Sequence, residues 1–323
     1  MLAKATTRLG VLAGLALFAL AVSPRPALAQ VCTFSVDGGA LAFGSIDTGS
    51  GAYFDTATTL TANCILGLPG DTVSVCPHFG AGSGGSAGGA RLMTSGANSL
   101  SYQMFSDASR ATVWGGSQWS GAAPLITVQL GSLGTGTAST TIYGRVAAGQ
   151  TGAAPGFYSS SMAGHVAVRY RSNGNSPNCN GNAGTLPLVQ PSFNITANVQ
   201  ASCRVTVSPL DFGTIGLLDT AVTSTASLSV TCPNTTAYSV ALGPGAANAG
   251  PTARTMKKGA EVITYGLYRD ANMSQPWGDT AGTILGRTGT GAAQSIPVYG
   301  RVPVQDTPSA GKYSDTVVVT ITY

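Results

Sequence analysis

Leu210-Asp211-Phe212-Gly213-Thr214-Ile215, shortly after Cys203, repeats Leu41-Ala42-Phe43-Gly44-Ser45-Ile46, shortly after Cys32. Outward from this pair, further landmarks recur in the same order. Cys64 closes an alternating run from Ala57, as Cys232 closes one from Ala226. Tyr102 to Asp107 and Trp114-Gly115 match Tyr265 to Asp270 and Trp277-Gly278. Tyr143-Gly144-Arg145-Val146 matches Tyr299-Gly300-Arg301-Val302, and the stretch from Tyr158 to Tyr170 matches that from Tyr313 to Tyr323. An ordered self-match of this length means two copies of one domain.

Each copy reads as all-β. Short alternating runs such as Thr72-Val73-Ser74-Val75, Thr141-Ile142-Tyr143 and Thr316 to Tyr323 are bounded by Gly, Pro, Asn and Ser clusters. Helical periodicity is absent after the first residues. The turn spacing predicts two immunoglobulin-like β-sandwich domains, an N-terminal one over 30–171 and a C-terminal one over 193–323. A segment rich in Asn, Gly and Pro, 172–192, reads as the linker.

Residues 1–29 read as a signal peptide. Lys4 and Arg8 precede an apolar run, Leu9 to Val22, and Ala27-Leu28-Ala29 offers a small-x-small cleavage site. The run is short of the ~20 residues that span a bilayer, so no membrane span is expected after cleavage. The leader holds three of the 16 basic residues and none of the 12 acids, leaving the rest near neutrality. That balance gives no electrostatic footing for nucleic acid. The expected location is outside the cytoplasm, through the periplasm to the cell surface.

All six cysteines, Cys32, Cys64, Cys76, Cys179, Cys203 and Cys232, follow the leader, as expected of disulfides in an exported chain. Six cysteines allow 15 pairings. The repeat makes Cys32–Cys64 and Cys203–Cys232 equivalent pairs and leaves Cys76 with Cys179. No C-x-x-C occurs, and His78 and His165 lack ligand-like spacing, so neither metal nor cofactor is expected. The histidines read as ordinary strand residues. No acid–base pair or nucleophilic constellation is visible either; Asp107 and Asp270, at equivalent places, read as turn caps. The Gly-rich stretch from Gly80 to Gly89 lacks the Lys-Ser/Thr of a phosphate loop.

The ordered motifs resemble the spore coat protein U domain, which is also the subunit domain of archaic (Csu-type) chaperone–usher pili. The likeness rests on Cys followed by L-x-F-G, a second cysteine, Y-x-x-Y/F-x-D, W-G, Y-G-R-V and the closing stretch from Gly311 to Tyr323. The first copy departs from it by an extra disulfide, the Gly80–Gly89 insertion, and His165 to Tyr170 in place of the closing strand. The resemblance implies sandwiches missing one strand, filled by a donor strand from a neighbouring subunit. It implies as partners a periplasmic chaperone, an outer-membrane usher and a pilin subunit. Subunits of this family carry the donor strand ahead of the first cysteine. After cleavage only Gln30 and Val31 would precede Cys32 here, the pattern expected of a tip subunit that accepts a strand and donates none.

Phe193, Ile195, Ala197 and Val199 alternate with polar residues as a donor-type strand does; the segment could complete the first domain or begin the second. The C-terminal domain is expected to lack its last strand and to accept the partner's strand along Val317, Val319, Ile321 and Tyr323. Apolar residues on glycine-flanked loops without counterparts in the second copy are the adhesion candidates for an abiotic or cell surface: Tyr53, Phe54, Leu66, Leu68, Phe79 and Trp119. The alternative is a secreted spore-coat or matrix protein with no specific ligand. A carbohydrate-processing enzyme would need a carboxylate pair that the sequence does not offer.

Overall fold

The computed structural model describes residues 31–172, 179, 188–189 and 191–323. The leader and most of the 172–192 segment lie outside the described residues. Among those described, no helix is long and apolar enough to cross a membrane.

The chain opens with β1 (Val31–Val36), β2 (Ala40–Ile46), β3 (Phe54–Ile65) and β4 (Thr72–Phe79). Then come β5 (Ser86–Ala87), β6 (Ala90–Ser95), β7 (Asn98–Phe105), β8 (Ile126–Gln129) and β9 (Gly136–Val146). β10 (Gly156–Ser161), β11 (Val166–Ser172), β12 (Leu188–Val189) and β13 (Asn194–Val199) follow. One sheet runs β1-β3-β9-β7-β6-β10-β13-β2, with β5 on β6; the facing sheet runs β12-β11-β4-β8. Between them lies a core that includes Leu41, Leu60, Met93, Tyr102, Trp114 and Ile142.

The second half holds β14 (Arg204–Val207), β15 (Val222–Thr231), β16 (Ala237–Leu242) and β17 (Arg254–Lys258). It ends with β18 (Glu261–Tyr268), β19 (Leu285–Thr288), β20 (Ala293–Val302) and β21 (Val319–Thr322). Its sheets are β14-β15-β20-β18-β17 and β19-β16-β21 around a separate core. The repeat is visible atom by atom. The Trp114 indole N–H donates to the Pro77 carbonyl at 2.8 Å, and that of Trp277 to Val240 at 3.0 Å. The disulfides are Cys32–Cys64, Cys76–Cys179 and Cys203–Cys232, the pairing the repeat predicts.

The domain boundary differs from the sequence reading. The 193–199 segment, inside the second domain's expected bounds but open there to either domain, lies in the first domain's sheet, antiparallel to β10 and parallel to β2. Its alternation is the reason: Phe193, Ile195, Ala197 and Val199 are all buried in the first core. Cys179, bonded to Cys76, and β12, paired with β11, likewise tie parts of the presumed linker to the first domain. The passage between domains is Gln200 to Ser202. It is pinned by Gln200 N–H to the Ile46 carbonyl at 2.9 Å and the Ser202 hydroxyl to Asp47 at 2.5 Å. Beside it the domains touch. The Thr151 hydroxyl donates to the Gly291 carbonyl at 2.6 Å, and Asn234 N–H donates to the Thr151 carbonyl at 3.0 Å.

Each core also buries an arginine whose head meets backbone carbonyls. Arg91 donates to Gly80, Phe79 and Trp114, and to the Gln103 side chain. Arg254 donates to Gly243, Leu242, Trp277 and Pro251. Burial pulls the Arg91 pKa down to about 10, still charged at neutral pH. These guanidiniums join the β4 and β16 edges to the tryptophan loops, and removing one strands several buried acceptors. Arg91→Met is expected to cost about 3–5 kcal/mol. A denaturant midpoint within error of the parent would refute that role.

Candidate functional site

In the first domain β13 lies between β2 and β10. The second domain has counterparts of both flanking strands, 209–215 and 311–316, but no strand of its kind between them among the described residues. Neither flank is in regular strand there; one bridge, Lys257 with Ser314, remains where β6 meets β10 at Thr94 and Ser159. Between them runs a groove of about 1110 Å³.

Its walls are the residues that β13 covers in the other copy. Leu210, Phe212 and Ile215 stand where Leu41, Phe43 and Ile46 stand, and Tyr265 where Tyr102 stands. Leu242, which fills the place of Phe79, closes one end. In the first domain Phe79 packs against Phe193, ring centroids 5.5 Å apart. The register of β13, Asn194 opposite Ser161 and Val199 opposite Gly156, corresponds in the second domain to the segment from Thr316 to Gly311.

One wall residue changes chemistry between the copies. Ser160, buried under β13, becomes Asp315. The Asp315 carboxylate accepts from the Tyr265 hydroxyl at 2.7 Å and from the N–H groups of Ala246 and Thr316 at 2.9 and 2.8 Å. Burial, followed by this bond to Asp315, pushes the Tyr265 phenol well above its ordinary range. Asp315 thus ties the groove edge to the 245–246 loop, as the Ser160 hydroxyl, accepting from Gly84 N–H at 3.1 Å, ties β10 to its loop in the first domain. Tyr313 adds a second tie, its one hydroxyl proton shared between the Ser309 carbonyl at 2.8 Å and the Glu261 carboxylate at 3.1 Å.

The four residues expected to form the accepting strand divide. Val319 and Ile321 belong to β21, which pairs with β16 in the smaller sheet, and Tyr323 follows it. Val317 and Val319 line the groove. The backbone free to pair lies before β21, because β21 corresponds to β11 and not to β10.

The adhesion candidates are not gathered in one place. Phe79 is wholly buried, stacked on Trp114 at 4.7 Å, and has no surface to offer; that expectation is corrected. It failed because the Gly-rich insertion begins just after β4, not at Phe79. Phe54 is half-buried against the core. Trp119 is half-buried with the Arg91 guanidinium 4.8 Å from its ring centroid. Tyr53 is exposed, at the end of β3 near the second domain, beneath an Arg145 that also grips Asp55 at 2.7 and 2.8 Å. That grip, the largest influence on it, holds the Asp55 carboxyl below its ordinary range.

Leu66 and Leu68 sit at the opposite end of β3, about 35 Å away at strand rise. There the loop after β3 meets the loop between β8 and β9. Gly67 N–H donates to the Gly134 carbonyl at 3.1 Å, and Gly70 N–H to that of Leu130 at 3.2 Å. A Cβ on Gly134 would lie 2.1 Å from the Gly67 oxygen, so glycine is required for the approach. Four apolar side chains project from this end: Ile65, Leu66, Leu68 at 67 % exposure and Leu133 at 86 %. Leu66 holds a left-handed backbone, φ 63°, which costs a branched residue stability. Leu133, between Gly131-Ser132 and Gly134, carries the same glycine-flanked signal as Leu66 and Leu68, and that signal could have found it.

The remaining polar candidates are structural. Asp107 accepts from the Ala111 and Thr112 N–H groups, and Asp270 from those of Ser274 and Gln275, so both cap turns. His78 lies buried in β4, its Nδ1 accepting from Ser117 N–H at 3.1 Å, while burial lowers its pKa. His165 lies in the turn before β11 rather than in a strand. Among the described residues no three His, Cys, Asp or Glu side chains converge as a metal site.

Two sandwiches of one design, the first holding a strand where the second keeps a groove, define a strand-complemented module of the pilin type. The model of the spore coat protein U domain matches residues 16–164 and 190–320, and the chain belongs to that family. Protein U of Myxococcus xanthus is 36 % identical over 149 residues, 41 % of this chain and 83 % of that protein. Among solved structures, the CsuC–CsuE chaperone–tip adhesion subunit pre-assembly complex of Acinetobacter baumannii aligns with TM-score 0.52 and 16 % identity. That alignment covers 91 % of this chain and 100 % of the other. The CupB6 tip adhesin of Pseudomonas aeruginosa aligns with TM-score 0.40 and 13 % identity, over 91 % of this chain and 93 % of that one. The likeness to the Acinetobacter structure is one of fold: all-β, pilin-type domains.

Proposed function

We propose that this protein is a structural and adhesive subunit at the tip of a chaperone–usher pilus, exported to the cell surface and catalysing nothing. The carrying observation is the contrast between a first domain filled by β13 and a second domain with the same groove open. Such a chain takes a strand from the next pilin through its second domain and offers its first domain outward. Before assembly the groove needs a temporary occupant, the office of a periplasmic chaperone like the one bound to the Acinetobacter tip subunit. Delivery then passes through an outer-membrane usher.

Surface binding is assigned to the loop pair at the far end of the first domain. Leu66, Leu68 and Leu133, with Ile65 beside them, present apolar area to water at the end remote from the second domain. A strained backbone at Leu66 fits a residue retained for contact. The triple variant Leu66→Ser, Leu68→Ser, Leu133→Ser is expected to reduce attachment to hydrophobic surfaces at least tenfold while pili still assemble. Unchanged attachment by assembled pili would remove these loops from the reading.

The second reading, a spore-coat or matrix protein, is favoured by the 36 % identity to Protein U. It predicts purification of the mature chain without a chaperone, whereas the tip reading predicts co-purification with one.

A further inference from the structure

We propose that the lower rim of the second domain, loops 216–221 and 303–310, is a docking face for the pilin-type domain that supplies the strand entering its groove. The proposal rests on the strand-capture reading and adds to it a second, side-by-side contact.

The junction between the two domains of this chain is the template. The strand filling the first domain ends at Val199, and the next domain begins at Cys203. Three intervening residues span at most about 10 Å, so the owner of the strand is held against the acceptor's rim. There Thr151 uses its hydroxyl and its carbonyl on the neighbouring domain. The residue before it, Gln150, clasps Ser101, accepting from its N–H at 2.7 Å and donating to its carbonyl at 2.9 Å. In the second domain Gln305 clasps Thr264 in the same way at 2.8 and 2.9 Å. The clasp fixes the equivalence: Asp306 stands where Thr151 stands.

The rim around Asp306 is built for contact. Leu218 N–H donates to the Thr307 hydroxyl at 2.8 Å, and Gln305 N–H donates to the Leu218 carbonyl at 3.1 Å, so the two loops form one surface. From it project Leu217 at 68 % and Val304 at 63 % exposure. The corresponding first-domain turn is Ala147-Ala148-Gly149, which offers no such side chain. Asp306 and the nearby Asp219 are both exposed. An ionised carboxylate accepts but cannot donate, so Asp306 cannot reproduce Thr151's bond to a carbonyl. It calls for an N–H or a cationic group. The partner's rim is therefore apolar, with a hydrogen-bond donor where this chain's own second domain presents Asn234 and Gly291.

The test places a photo-crosslinking amino acid at Leu217, at Val304 and, in the groove, at Val317, in full-length protein in cells assembling the fibre. The expected result is one and the same protein linked from all three positions. A partner linked from Val317, with the rim positions linking nothing or a different protein, overturns the docking face and leaves strand capture standing. No partner from any position overturns both. A second arm uses Leu217→Asp with Val304→Asp. Incorporation into fibres should fall about tenfold, while affinity for a synthetic peptide of residues 192–200 stays within twofold. An equal loss of peptide affinity would make the rim part of the groove and defeat the proposal.

Discussion

A chain carrying Ile195→Asp is expected to lose the first domain and keep the second. Ile195 is fully buried at the centre of β13, between β10 and β2. The substitution forfeits about 2–3 kcal/mol of apolar burial and places a carboxylate in the core, which costs several kcal/mol more. Against a domain stability of about 5–15 kcal/mol, that loss is decisive. Calorimetry of the parent should resolve two transitions and that of the variant one, with protease cleavage confined to the first half. Asn198→Asp, facing outward on the same strand, should change stability by no more than about 0.5 kcal/mol. Two intact transitions in the Ile195 variant would mean that the strand does not complete the sandwich.

Adding a strand to the second domain should have the converse effect. A copy of residues 192–200, fused after Tyr323 through a glycine–serine linker, can lie antiparallel to 311–316 and parallel to 209–215. Its four alternating apolar residues would meet Leu242, Met256, Ile263 and Val317, which stand where Phe79, Met93, Leu100 and Met162 stand in the first core. The ladder on both flanks and the covered walls should raise the second transition by roughly 10 °C, the shift expected of a gain of about 3 kcal/mol. Capture of any external strand should fall at least a hundredfold. An unchanged second transition, with capture intact, would show that the groove does not accept this register.

Much of this arrangement was legible before any coordinates. The repeat led to two all-β sandwiches and to the correct cysteine pairing because L-x-F-G, W-G and Y-G-R-V mark positions that both cores need. The strand-like alternation of Phe193 to Val199 was legible too. Its owner was not, since a period of two says which side chains turn inward but not which sheet receives them. The boundary at 193 failed for that reason. The edge expected along Val317 to Tyr323 is divided, with Val317 and Val319 at the groove and Ile321 in the β16 ladder, because one continuous β-pattern in sequence occupies two separate positions in the fold. Phe79 was misjudged because glycine flanks were read on one side only. Arg91 and Arg254 occupy equivalent places in the two copies, but sequence gives no sign of their burial, because buried cations are rare.

That β13 belongs to the same chain as the sheet it fills also governs competition. A covalently linked strand experiences an effective concentration on the order of millimolar. Free subunits in the same compartment would have to exceed that level, and bind as well, to evict β13. The first domain is therefore shielded from invasion, while the groove of the second holds no such strand among the described residues. Under the tip role proposed above, growth that begins on such a molecule would have one live end, and the number of these molecules delivered would set how many filaments a cell can start.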